Sequence, residues 1–171
     1  MLYSNFFNAS RAASILFVFA IFTFNQSSIA QNNALWTTNF DSAKVKSMQE
    51  DKFILLNFSG SDWCGPCIKM RKDILSSEPF LKYAADHLIL LNADFPRMKK
   101  NQQDKQLVQQ NEKLADTYNK QGKFPYTLLL SKDLKILKIW DGCPQLTQQD
   151  EYSNIQEQFT GQIKETISAI H

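Results

Sequence analysis

Two cysteines separated by two residues, where a short apolar run gives way to a helical pattern, constrain this chain more than any other feature. Phe53, Ile54, Leu55, Leu56, Asn57 and Phe58 form a run bounded by polar turns and too short for a helix, so it reads as a buried strand. Ser59, Gly60, Ser61 and Asp62 make a loop, and a helix is expected from about Cys64 or Gly65 to Leu75. Cys64 then stands at a helix N-terminus, where unpaired N–H groups and the helix dipole favour negative charge. A thiolate is stabilised there relative to its thiol. Cys67 lies one turn on, and Pro66, which has no N–H to satisfy, suits a first turn. The pair can form a small reversible disulfide. Cys64, expected to be the more exposed and more acidic thiol, would attack a disulfide, and Cys67 would resolve the mixed disulfide. Run backward, the same pair oxidises dithiols.

Hydrophobic spacing supplies the other elements. Asp41 or Ser42 can cap a short helix toward Glu50, with Ala43, Val45 and Met48 as its apolar positions. Ser77, followed by Glu78 and Pro79, opens another helix, and residues 88–93 form a second buried strand. From 95 to 121 the composition shifts to Lys, Gln and Asn. Leu107, Val108, Asn111, Leu114, Ala115 and Tyr118 recur there at helical spacing. Residues 126–130 and 135–140 read as a hairpin turning at Lys132 and Asp133. Tyr152, Ile155, Phe159, Ile163, Ile167 and Ile170 mark a last helix beginning at Thr147 or Gln148. Helices alternating with strands and then a hairpin require an α/β fold, a central mixed sheet flanked by helices on both faces. Nothing resembling a Gly/Ser linker divides it.

Composition narrows the class. There are 19 basic and 17 acidic residues, a net of +2, which gives no general reason to expect nucleic-acid binding. Residues 1–30 hold six of the thirteen Phe and only one charged side chain, Arg11. Residues 15–24 are apolar apart from Thr23, and Ser28 and Ala30 fit a cleavage site between Ala30 and Gln31. That run is short against the roughly 20 residues of a spanning helix. The expectation is a signal peptide over 1–30 and a mature domain over 31–171 that is periplasmic or secreted and does not span a membrane. Disulfides persist in such compartments. An uncleaved membrane anchor is the alternative.

Trp63, Cys64, Gly65, Pro66 and Cys67, placed after a strand and before a helix, resemble the active-site sequence of the thioredoxin family. The stretch from Phe58 to Trp63 is similar to its secreted and periplasmic members. Phe124, Pro125 and Tyr126, just before an apolar strand, resemble the segment holding the family's cis-proline, and Gly142 resembles a glycine of its substrate groove. The resemblance implies a thioredoxin-like fold with a helical insertion around 95–121. It implies that Cys64 is the nucleophile and Cys67 the resolving thiol, and that the Phe124–Pro125 bond is cis. Trp63, Gly65, Pro66, Phe124, Pro125 and Gly142 would contact substrate. The substrates implied are proteins with disulfides or dithiols, with no organic or metal cofactor. The Gly-Pro spacer is similar to that of reductants. A reductant in an oxidising compartment needs an upstream donor, expected to be a membrane-bound dithiol protein.

Three departures qualify the resemblance. The family's buried Asp before the motif is Asn57 here, and its partner Lys is matched with Leu90. An amide takes up no proton at neutral pH, so a proton leaving Cys67 would go to water, Asp62 or another group. The 95–121 segment carries Arg97, Lys99, Lys100, Lys105, Lys113 and Lys120, which could select acidic partners. A solvated helical excursion is the simpler reading. Cys143, an odd cysteine, is either an auxiliary reactive thiol or a small apolar residue. Rival functions are a binding module whose cysteine pair is incidental, and an oxidase or isomerase. A zinc site is disfavoured because only Cys143, His87 and His171 remain to complete four ligands.

Overall fold

The structure, a computed structural model, describes residues 35–144 and 152–170. The leader at 1–30 and the first turns expected of the last helix lie outside these residues. Within them the chain runs β1 (Trp36–Thr37), α1 (Phe40–Gln49), β2 (Phe53–Ser59), α2 (Gly65–Met70), α3 (Glu78–His87), β3 (Leu88–Asp94), α4 (Lys105–Tyr118), β4 (Tyr126–Leu130), β5 (Ile136–Asp141) and α5 (Tyr152–Ser168). A π turn, Arg71–Leu75, extends α2, and a 3-10 turn, Lys99–Asn101, precedes α4.

The five strands form one mixed sheet in the order β1-β3-β2-β4-β5. β3 is parallel to both β1 and β2, whereas β4 is antiparallel to β2 and to β5. Alternation along the strands sorts their side chains to two faces. Leu55, Leu90 and Leu129 pack with Met70, Ile74, Phe80, Phe159 and Ile163 beneath α2, α3 and α5. Ile54, Leu56, Phe58, Leu91 and Leu128 pack with Ala43 and Leu114 beneath α1 and α4. Strands buried on both faces carry continuous apolar runs, which is why residues 53–58 and 88–93 looked alike in sequence.

β1 falls in the stretch expected to be merely polar; two residues carry too little pattern to be recognised. α1 is capped by Asn39, whose side-chain oxygen accepts from the Ser42 N–H at 2.7 Å, rather than by Asp41 or Ser42. It buries Ala43 and Ser47 and leaves Val45 and Met48 exposed. Ser47 is accepted inside because its hydroxyl donates to the Lys52 carbonyl. Ser77 stands before α3 without a side-chain cap bond, its hydroxyl turned back to the Ile74 carbonyl. His87 ends α3 stacked on Tyr83 at 4.4 Å.

Topology gathers four chain ends at one edge of the sheet. Parallel pairing brings the C-terminal ends of β2 and β3 together, at Ser59 and Asp94. Antiparallel pairing adds the start of β4 at Tyr126 and the end of β5 at Asp141. Cys64 and Cys67 follow the end of β2 by five and eight residues, and residues 124–125 and Gly142 directly adjoin β4 and β5.

Candidate active site

The local sequence between β2 and α2 fixes the cysteines. Gly60 closes a turn in which its carbonyl accepts from the Trp63 and Cys64 N–H groups at 3.3 and 2.9 Å. Cys64 then takes an extended conformation and caps α2, its Sγ accepting from the Cys67 N–H at 3.2 Å. Pro66 lies in the first turn of α2. Cys64 and Cys67 are joined as a disulfide with their Cα atoms 5.2 Å apart. From its place before the helix, Cys64 is expected to be the more exposed. In the disulfide form the two are 5% and 4% exposed, so accessibility does not separate them. Helix position does, because only Cys64 receives a backbone N–H at the start of α2. Gly65 and Pro66 are exposed beside the buried pair.

Residues 124–125 meet the motif from the neighbouring chain end. The Phe124–Pro125 peptide is cis. The Phe124 ring stands edge-on to Trp63 at 5.4 Å, and the Pro125 carbonyl accepts from the Gly142 N–H at 3.0 Å. Gly142 has φ of +89°, a conformation favouring glycine. Cys143, next along, packs against the cluster containing Trp140 and Phe159, and its Sγ contacts the Pro144 carbonyl at 3.6 Å. Burial pushes its thiol above the ordinary cysteine range, with Lys69 drawing it partly back. That shift favours the inert thiol over a thiolate at neutral pH.

Beneath Cys67 the α2 face of the sheet turns from apolar to polar. Asn57 donates to Asn92 at 2.9 Å and accepts from the Thr127 hydroxyl at 3.0 Å. Leu90 is opposite Leu55 in the core, so the residue facing Asn57 is Asn92. The Ser59 hydroxyl bridges Asn92 and Asp94, whose carboxylate also accepts from the Ser61 backbone and hydroxyl. A cavity of about 380 Å3 is lined by these asparagines and serines together with Cys67, Arg71 and Lys72. Arg71, half-buried, lies over the Trp36 ring at 4.4 Å. Leu-Leu-Asn occurs in both β2 and β3, and that repeat was the available sign of the Asn57–Asn92 pair.

Asp62 is engaged elsewhere. Its carboxylate accepts from the Arg97 and Met98 N–H groups and from the Asn101 amide, all at 2.9 Å. The Arg97 N–H is the main cause of a pKa below the usual carboxylate value, so this tie holds at neutral pH and loosens only as acid protonates Asp62. The Trp63 indole N–H donates to the Phe95 carbonyl at 2.7 Å. Sequence alone gave no sign of either tie beyond an isolated acid two residues before Cys64.

Trp63 leaves no room behind it. A Cβ added at Gly60 would lie 2.3 Å from Cε2 of the indole, which is fixed by Phe95 and Phe124. Gly60→Ala is therefore expected to cost about 1–3 kcal/mol through overpacking. It should also shift tryptophan emission. Urea denaturation and a fluorescence spectrum check this; an unchanged midpoint and spectrum would show that the ring moves freely.

The family model described as thioredoxin-like matches residues 35–130, a span that includes both cysteines, the 95–121 segment and Pro125. The chain is 38% identical over 109 residues to the disulfide bond reductase DsbH of Chlamydia pneumoniae, covering 64% of this chain and 63% of that protein. It is 31% identical over 102 residues to the thioredoxin-related protein DsbJ of the same organism, covering 60% of this chain and 28% of that protein. A solved DsbH oxidoreductase structure superposes with a TM-score of 0.63 at 30% identity, over 78% of this chain and 83% of that one. The match thus spans less than two thirds of the length of either curated relative. Among the described residues no helix is long and apolar enough to cross a membrane.

Proposed function

Because the chain belongs to the thioredoxin-like family, we propose that it is a protein-disulfide oxidoreductase working outside the cytosol, in the reducing direction. The observation that carries this reading is the Cys64 sulfur at the start of α2, holding the Cys67 N–H at 3.2 Å in a disulfide with Cys67. The disulfide reductase named for DsbH, 38% identical, supports the direction.

The cycle begins with the reduced pair. The Cys64 thiolate attacks one sulfur of a client disulfide, the client's other sulfur leaves as a thiolate, and a mixed disulfide forms. Cys67 loses its proton and attacks the Cys64 sulfur; the Cys64–Cys67 disulfide forms and the second client thiol departs. The client gains two electrons and two protons. The N–H of Cys67 and the first turn of α2 stabilise the charge on Cys64 when it is the nucleophile. Pro125, Phe124 and Trp63 would receive extended client backbone beside the pair, in the manner of edge-strand recognition. With Asn57 in place of a buried acid and Asp62 tied to residues 97–101, the proton of Cys67 leaves through the polar cavity that Cys67 lines.

The leader at 1–30 supports export and cleavage, giving a periplasmic or secreted mature protein. Each turnover consumes two electrons, so a dithiol donor, membrane-bound in this reading, restores the reduced pair.

The test is equilibration of the Cys64–Cys67 pair with glutathione buffers, alongside an insulin-reduction assay. A reductant is expected near about −270 mV, with insulin precipitating. A value near about −120 mV would make the protein an oxidant and overturn the direction.

A further inference from the structure

The 95–101 segment is fastened to the motif rather than merely adjoining it. Asp62 holds the backbone of Arg97 and Met98 and the side chain of Asn101, and Trp63 holds the Phe95 carbonyl. The Asn111 amide, buried in α4, donates to the Asp94 carbonyl from behind. The result is a groove of about 420 Å3 whose lining includes Trp63, Phe95, Pro96, Arg97, Gln103 and Phe124. Its floor is aromatic, with Phe95 edge-on to Phe124 at 5.5 Å and Phe124 edge-on to Trp63 at 5.4 Å.

Charge decides what enters. The Arg97 guanidinium lies 3.6 Å from the centre of the Trp63 ring, one residue before Cys64. Arg97, Lys99 and Lys100 are exposed, and among the described residues no carboxylate pairs with their side chains. Asp62, held by residues 97–101, and Asp94, which borders the groove and is held by Ser59 and Ser61, keep their charge, so these three cations outnumber these two carboxylates by one. A solvated excursion has no need of a cation stacked on the tryptophan of the motif. From this placement, and resting on the oxidoreductase reading, we infer that the groove is a client subsite selecting a peptide with an acidic side chain within about three residues of its reacting cysteine. An extended client advances about 3.3 Å per residue, so an acidic side chain close in sequence to its cysteine can reach a cation lying on the residue before Cys64. Its carboxylate meets Arg97, with Lys99 and Lys100 steering its approach.

The test uses the mature protein and disulfide-bonded peptides that are identical except for Glu or Lys at positions flanking the cysteine. Hydroxyethyl disulfide, which is small and uncharged, serves as a third substrate. At low salt kcat/KM is expected to favour the Glu peptide by about three- to tenfold, the scale of a few exposed charge contacts, and 0.5 M NaCl should compress that ratio toward one. Arg97→Glu should invert the preference, and Arg97→Gln should reduce it without inversion. Equal rates for the two peptides in the native protein, or a ratio unchanged by Arg97→Glu, would overturn the subsite while hydroxyethyl disulfide was still reduced. Failure to reduce any of the three substrates would instead overturn the oxidoreductase reading, and the subsite with it.

Discussion

Cys64→Ser is expected to lower insulin reduction by more than about a thousandfold, the scale seen when a covalent nucleophile is removed. Exchange requires a thiolate, and a serine hydroxyl is not ionised at neutral pH. The fold should survive, because serine is a favoured N-cap and its Oγ can accept the Cys67 N–H now held by Sγ. Circular dichroism and a thermal midpoint close to native would separate a lost nucleophile from a lost structure. The same variant distinguishes the enzyme from a binding module with an incidental disulfide, since a module would bind its partner unchanged. Turnover within tenfold of native would mean that another sulfur performs the attack.

Cys67→Ser is expected to have a comparably large and chemically different effect. Cys64 keeps its place at the head of α2 and still attacks, but nothing one turn away displaces the client. The mixed disulfide should persist for minutes to hours, the range of uncatalysed rearrangement, instead of resolving within the cycle. Non-reducing electrophoresis and intact mass should show one client per protein, released by added dithiothreitol. Cys143 cannot substitute if burial keeps it protonated, as its raised pKa implies. Rapid client release from Cys67→Ser that disappears when Cys143→Ala is added would assign resolution to Cys143.

Much of this arrangement was legible from the order of the residues. An apolar run followed by a loop and Trp63 to Cys67 announced a strand delivering cysteines to a helix. Phe124 and Pro125 before the run 126–130 resemble the family's cis-proline segment, and the bond the resemblance implies to be cis is cis. The amphipathic spacing from Leu107 to Tyr118 located α4. What stayed hidden depends on register and long-range pairing. Asn92 faces Asn57 because β2 and β3 align residue for residue, a relation that separate segments do not encode. β1 exists because β3 offers it an edge. The tie from Asp62 to Arg97 joins residues 35 apart, and nothing local to either predicts it. Val45 and Met48 are apolar yet lie in solvent, because hydrophobicity does not by itself require burial and the rotation of α1 set by Ala43 and Ser47 turns both outward.

Iodoacetamide alkylation of the fully reduced Cys143→Ala protein, followed across pH by mass spectrometry, tests the central electrostatic claim most directly. Cys64 is expected to react first, with a half-maximal rate at a pH well below the roughly 8.5 of an unperturbed cysteine, while Cys67 lags throughout. A Cys64 profile centred at or above that pH, or Cys67 reacting ahead of it, would contradict the assignment of Cys64 as the activated nucleophile.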